Sequence, residues 1–205
     1  MTDLLLKKDE SFRRLLIEKD EKYDITNVTG ATKVLIEFDN PEALAQIWKQ
    51  GLDNRNMRAS DFNETSSRSH LMFAINIERT LKGKSEPCDI GKILYVDLAG
   101  SECLARVGID GKLYKEGTYI NESLQCLGRT IRQSSLNVQI NFDFHILTQL
   151  MQDSLGGKSK TIMIANISPS VYNILQTRET LNYAISCGTI TSRESDLLVK
   201  LAKEK

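Results

Sequence analysis

Hydrophobic and polar positions change period several times along the chain, and each change marks an element. Leu4, Leu5, Leu6, Phe12, Leu15, Leu16 and Ile17 are interleaved with charges in a pattern that leaves helix and strand both open. Val34 to Phe38 reads as a short strand. Asn40-Pro41 starts a helix, with proline in the first turn, where its missing N–H costs nothing. Leu44, Ile47, Trp48 and Leu52 give that helix one apolar face, a stripe that reads as core and not as a binding platform. Asp53 to Asn63 reads as a polar loop. Leu71, Phe73, Ile75 and Ile77 alternate with other residues and predict a strand. A polar connection over Lys82 to Asp89 leads to Ile93–Val96, a short apolar run ending at Asp97 that reads as a buried strand.

Gly100 to Gly117 is glycine-rich and irregular, and helical spacing then appears in Ile120, Leu124, Leu127 and Ile131. A second helix is expected over Phe144 to Leu155, stopped by Gly156-Gly157. Thr161 to Ile167 reads as another buried strand, closed by Ser168-Pro169-Ser170. Glu179 to Ile185 falls in a further helix, and Ser195 to Lys205 forms a last amphipathic piece with Leu197, Leu198 and Leu201. Strands alternating with helices predict an α/β sheet with helices on its faces.

Composition narrows the function classes. The 205 residues carry 27 Lys+Arg against 27 Asp+Glu, so the net charge is zero and the basic excess of a general nucleic-acid or membrane-surface binder is lacking. Length and a hydrophobic share of 40% fit one globular domain with a core of useful size. Cys88, Cys103, Cys126 and Cys187 lie far apart, and His70 and His145 are too few for a usual zinc site, so reduced thiols in an intracellular protein are expected. The N-terminus lacks the apolar stretch of a signal peptide, and no window approaches the ~20 apolar residues of a membrane span.

Two constellations carry chemistry. In Asn63-Glu64-Thr65-Ser66-Ser67-Arg68-Ser69-His70, the hydroxyls can ligate Mg²⁺ or touch a phosphate, and Arg68 can pair with a carboxylate; a polar turn is the equal alternative for this octamer alone. In Tyr95-Val96-Asp97-Leu98-Ala99-Gly100-Ser101-Glu102, a hydrophobic strand ends in a D-x-x-G arrangement. Aspartate at such a tip holds Mg²⁺ through water, and glycine lets its N–H approach a γ-phosphate. A Ser/His hydrolase resting on Ser69-His70 is disfavoured, because adjacent residues do not readily form a nucleophile–base pair and no G-x-S-x-G elbow is present. His70 reads as structural within this region.

Together the two constellations resemble switch I and switch II of the kinesin motor domain. Ile120-Asn121-Glu122-Ser123-Leu124 and Leu127-Gly128 resemble the relay helix after switch II. Gln152-Asp153-Ser154-Leu155-Gly156-Gly157, Lys160-Thr161 and Ile167-Ser168-Pro169 resemble the end of the microtubule-facing helix and the next strand. Glu179-Thr180-Leu181-Asn182-Tyr183-Ala184 resembles the family's final helix, so the matches run from about residue 40 to 190. His145, Leu147 to Met151 and Asn166 to Pro169 are similar to minus-end-directed kinesins with C-terminal motors, the calmodulin-binding plant members above all.

The resemblance implies an α/β, P-loop NTPase kinesin-like motor fold: a central sheet flanked by helices, incomplete at its N-terminal side. Residues 1–190 would be the partial motor domain and 191–205 a neck-like helix whose short stripe does not decide dimerisation. It implies ATP and Mg²⁺ as cofactors, with Asn63, Ser66 and Ser67 sensing the γ-phosphate, metal and attacking water. Ser67 and Asp97 would serve the metal and Gly100 the γ-phosphate, and Arg68 and Glu102 would form the ion pair that latches the switches. The relay helix, beginning near Glu116, would then shift. Lys112, Lys115, Asn121, Arg129, Arg132 and Thr148 would form the microtubule face. The implied partner is the microtubule, with calmodulin or a coiled-coil partner engaged through segments outside the chain. The implied location is the microtubule cytoskeleton of the cytoplasm.

The sequence also departs from the family pattern. The phosphate loop G-x-x-x-x-G-K-[ST] does not occur: Gly83-Lys84-Ser85 would need glycine where Glu78 stands, and Gly157-Lys158-Ser159 where Gln152 stands. Without that loop's N–H groups and lysine, ATP binding by this chain alone is expected to be poor. Asp3-Leu4-Leu5 resembles the end of a strand midway along the motor, which suggests a fragment, a truncated gene model or a degenerate kinesin. Asn141-Phe142-Asp143 stands in place of Pro-Tyr-Arg, Ile146 in place of lysine, and Glu122 where many relatives have lysine. Ser186-Cys187-Gly188 replaces Arg-Ala-Lys and is expected to loosen its helix end. Two readings follow, an ATP-driven microtubule motor and a non-motor kinesin-like binding module.

Overall fold

A computed structural model describes residues 1–6, 13–60, 69–84, 86–100, 111–136, 138–155, 157 and 159–190, the side chains of 56–60 and 111–120 excepted. The chain forms two compact units, Met1–Gly100 and Ser101–Lys205.

Among its described residues the first unit holds two antiparallel hairpins and a helix. Strands β1 (Leu16–Asp20) and β2 (Ile25–Thr29) pair from Leu16↔Thr29 to Asp20↔Ile25. Their turn is set by the Asp20 carboxylate, which accepts the Lys22 and Tyr23 amides at 3.0 and 3.2 Å. Asp24 there adopts φ 56°, a left-handed conformation that short polar side chains tolerate. Strands β3 (Leu71–Thr80) and β4 (Pro87–Asp97) pair from Leu71↔Asp97 to Thr80↔Pro87, with an irregularity at Arg79/Thr80. Gly83, at φ 87°, occupies the turn between them, so Gly83-Lys84 is hairpin chemistry and not a phosphate loop. Lys92 donates its ammonium to the Thr26 carbonyl, and Tyr23 its hydroxyl to that of Pro87 at 3.1 Å, joining the hairpins.

Helix α1 (Pro41–Ser60) begins where the sequence places it. The Asn40 side chain accepts the Ala43 amide at 3.1 Å, a standard N-cap bond. Trp48 meets Phe73 of β3 edge-on at 4.9 Å, which supports the reading of its stripe as packing surface.

Three expectations change in this unit. The helix continues through Asp53–Ser60, where a loop was expected, because a run of polar residues does not end a helix without a breaker. Val34–Phe38 is not a strand: Leu35 is 95% exposed, and no ladder partner lies beside it among the described residues. Strand β4 is not fully buried, since Ile93 and Tyr95 face outward; a two-stranded sheet covers one face of each strand at most.

The second unit is helical. Helix α2 (Gly111–Ser135) runs through the predicted relay-like segment and also takes in Gly111–Gly117, expected to be irregular. Ser123, Leu127, Thr130, Ile131 and Ser134 form its buried face, packed against α3 (Ile146–Leu150) and α4 (Ile174–Gly188). Small polar residues are tolerated there because their hydroxyls can bond back to the helix, as Thr130 does to the Cys126 carbonyl at 3.0 Å.

Helix α3 is shorter than the expected Phe144–Leu155, and residues 151–154 are turns. Thr161–Ile167, expected as a buried strand, forms none, with Ile162 and Ile164 more than four-fifths exposed. A strand requires a neighbour for its N–H and C=O groups, and the second unit has no strand among its described residues. Helix α4 follows a 3₁₀ turn (Val171–Asn173) and includes the expected Glu179–Ile185. Its last turn is capped, because the Thr189 hydroxyl donates to the Ser186 carbonyl at 2.8 Å, so Ser186-Cys187-Gly188 remains helical. No helix among the described residues is long and apolar enough to cross a membrane.

Candidate functional site

The chemistry of the first unit gathers at the tip of β4. The register Leu71↔Asp97 sets Asp97 opposite the start of β3, beside Ser69 and His70. From α1 comes a residue the sequence reading missed, Arg55. Its Nη1 is 2.8 Å from the Asp97 carboxylate, its Nη2 donates to the Ser69 carbonyl at 2.7 Å and its Nε to the Ser69 hydroxyl at 3.3 Å. The Arg55 side chain is almost buried, at 10% exposure, while that of Asp97 is 66% exposed. A planar fork suits this task, reaching a carboxylate and a backbone carbonyl together. The signal lay in the helical spacing: Arg55 follows Leu52 by three positions, on the face that carries Leu44 and Trp48.

Beyond Asp97 the chain passes Leu98 to Ala99 and Gly100. The Ala99 amide donates to His70 Nδ1 at 3.1 Å, and Ala99 is buried at 5% exposure. His70 thus holds the backbone just before Gly100, which fits the structural reading of it. Sequence-predicted Asp97 and Gly100 thus sit at one end of one hairpin. Asn63, Ser66, Ser67, Arg68 and Glu102 lie outside the described residues.

A Mg²⁺ ion with nucleotide phosphates needs several oxygen ligands and donors. Among the described residues no group of three or more His, Cys, Asp or Glu could hold a metal. The Asp97 carboxylate is also engaged by Arg55. The described residues alone therefore do not fit the metal–nucleotide group.

The expected partner-binding face lies in the second unit. Asn121, Arg129 and Arg132 are on α2, with Arg129 and Arg132 exposed and Asn121 half-buried. Lys112 and Lys115 are on the same helix, their side chains outside the described residues. The Arg129 guanidinium lies 5.4 Å from the centre of the Phe144 ring.

Thr148 does not belong to this exposed face. It is 0% exposed, and its hydroxyl bonds the Phe142 and His145 carbonyls at 2.7 Å each. It also accepts the His145 amide at 3.2 Å, while the Leu147 amide donates to His145 Nδ1 at 3.0 Å, a reciprocal capping box for α3. A threonine used on both sides of a helix start has no hydroxyl left for a partner.

Tyr183 and Cys187 of α4 are half-buried. Tyr183 of α4 lies so close to Gly128 that a Cβ there would sit 3.0 Å from its ring. Burial pushes the Tyr183 phenol well above its ordinary range, with the Cys187 thiol adding to the rise and Arg132 opposing it. Burial also pushes Cys187 up, which leaves it a poor nucleophile. Cys88, Cys126 and Cys187 are free thiols.

Comparisons with known proteins agree on one family. The family model described as the kinesin motor domain matches residues 1–190. The chain is 39% identical over 198 residues to "Kinesin-like protein KIN-14E" of Arabidopsis thaliana, covering 95% of this chain and 15% of that protein. It is 40% identical over 187 residues to "Kinesin-like protein KIN-14I" of Oryza sativa subsp. japonica, covering 90% and 14%. Among solved structures it resembles a KIF14 dimer in a two-heads-bound AMP-PNP state in complex with a microtubule, with a TM-score of 0.75 and 33% identity. That match covers 93% of this chain and 55% of the other, so the chain spans about half of that solved motor and a small part of each relative.

Proposed function

Because the chain belongs to the kinesin motor domain family and shares its P-loop NTPase α/β fold over the part it spans, we propose that it serves a microtubule motor. In this reading it contributes the two switches and the microtubule-facing helices. The carrying observation is the D-x-x-G sequence at the tip of β4, with Arg55 paired to Asp97 and His70 accepting the Ala99 amide just before Gly100, inside a family match over residues 1–190. ATP with Mg²⁺ is the ligand proposed for the switches, contacted by Asn63, Ser66, Ser67, Asp97 and Gly100, with Arg68 and Glu102 as the latch between them. Residues 1–190 are proposed as the motor portion and 191–205 as its neck-like extension. The proposed location is the microtubule cytoskeleton. The KIN-14 relatives support assignment to the class with C-terminal motors, and calmodulin or a coiled-coil partner would act through other segments.

A second reading, a kinesin-like module that binds without hydrolysing ATP, is favoured by the Arg55–Asp97 pair, which engages the carboxylate proposed for the metal. Microtubule co-sedimentation with and without ATP separates the two. Pelleting that ATP changes supports the motor reading, nucleotide-independent pelleting the second, and no pelleting argues against both. Calorimetry with Mg·ATP on this chain, beside a longer form carrying a phosphate loop, measures what that loop adds.

A further inference from the structure

We propose that Phe144 is a positioning residue for Arg129, holding its guanidinium on the outer face of α2 as the cation that meets the acidic microtubule surface. The inference rests on the microtubule-binding reading above and names a determinant within it. The exposed stripe of α2 runs Glu122, Gln125, Arg129 and Arg132, at successive spacings of three, four and three. Its two cations diverge. Arg132 is close enough to Tyr183 of α4 for its charge to act on that phenol, and it lies beside Gly128. Arg129 turns toward the start of α3, its Cζ 5.4 Å from the centre of the Phe144 ring.

Phe144 is 45% exposed, so core burial does not account for its place. The turn that presents it is nonetheless firmly built. Asp143 donates its amide to the Asn141 side chain at 2.8 Å, and Thr148 and His145 lock the following cap. A ring on such a support restricts a long side chain that otherwise samples many rotamers. A guanidinium held over a ring through its Cζ can still offer N–H groups to a carboxylate.

Charge explains why one placed cation matters. Asp143 and Ile146 stand where the family pattern has arginine and lysine, and Glu122 where many relatives have lysine. Asp143 is itself exposed, with its carboxylate reaching the Gln149 amide at 3.5 Å. A surface that has given up basic contacts depends more on each that remains.

The test is co-sedimentation of the full 205-residue chain with microtubules at several salt concentrations. The variants are Phe144→Ala, Phe144→Trp, Phe144→Leu, Arg129→Ala and the Phe144→Ala/Arg129→Ala double substitution. Phe144→Ala is expected to weaken pelleting about two- to fivefold, with Phe144→Trp retaining it. Phe144→Leu keeps apolar bulk without the π face; it should weaken binding as alanine does, and it substitutes for the alanine variant should that one fail to fold. The double variant should bind no more weakly than Arg129→Ala alone, the signature of one shared contact. Additive losses, or full binding by Phe144→Leu, overturn the inference while leaving the microtubule reading intact. Absence of pelleting by the unsubstituted chain overturns both.

Discussion

Arg55 shows how much one side chain can organise. It is nearly buried, and its fork serves Ser69 twice and Asp97 once. The ion pair itself adds little, because Asp97 is mostly in water. The bond to the Ser69 carbonyl matters more, since a charged donor is not readily replaced at a site that is nearly closed. Arg55→Ala should therefore lower stability by about 1–2 kcal/mol in urea unfolding. Arg55→Lys should fall between, keeping the charge but losing the planar fork.

Asp3 makes a second residue-scale prediction. Burial pushes its carboxyl up, but hydrogen bonds from Thr32 and the Leu5 amide outweigh it, and the net shift is below the ordinary value of 3.8. A depressed carboxyl contributes stability that is complete above its unfolded-state value and is lost as pH falls through the folded-state value. Melts should therefore lose an Asp3-dependent increment only below about pH 4. Asp3→Asn should be less stable at neutral pH and should flatten that acid limb.

At the scale of elements, α2 and α4 meet through Gly128 and Tyr183. Alanine at an exposed helix position would gain up to about 1 kcal/mol over glycine. Here the new methyl would lie 3.0 Å from the Tyr183 ring, closer than ordinary contact, so the ring must give way. Overpacking of this kind costs about 1–3 kcal/mol, so Gly128→Ala should be net destabilising and lower the melting temperature. Legibility also divides at this scale. Helix α1 announces its start through Asn40-Pro41, and α2 announces its buried face through Leu127 and Ile131, because caps and helical period are local signals. The end of α1 was missed, since its last turns are polar and carry no breaker. Arg55 was missed with it, because its partners Ser69 and Asp97 lie far along the sequence.

For the whole molecule, exposed apolar surface is the governing feature. Leu35, Phe38, Ile162, Ile164, Val171 and Tyr172 are each at least four-fifths exposed. Among the described residues, the outer edges of the two-stranded sheets have no neighbouring strand. The isolated chain should therefore bind a hydrophobic dye and self-associate as concentration rises, measured by light scattering. A sharp, reversible melt of a monomer with no dye binding would refute this.

The sequence by itself determined the family, the D-x-x-G at a strand end, the start of α1 and the amphipathic course of α2. The last three depend on residues within a few positions of one another, and the family on short motifs each legible in the same way. The tertiary structure decided the rest. Val34–Phe38 and Thr161–Ile167 have strand-like composition, yet a strand exists only where another strand accepts its hydrogen bonds, and neither has such a neighbour among the described residues. Thr148 belongs to a motif that suggests an exposed contact, yet the chain folds its hydroxyl into the cap of α3. Arg55 reaches Asp97 across forty-two positions of sequence. Pairings at that range depend on where elements pack, and a linear pattern carries no record of it.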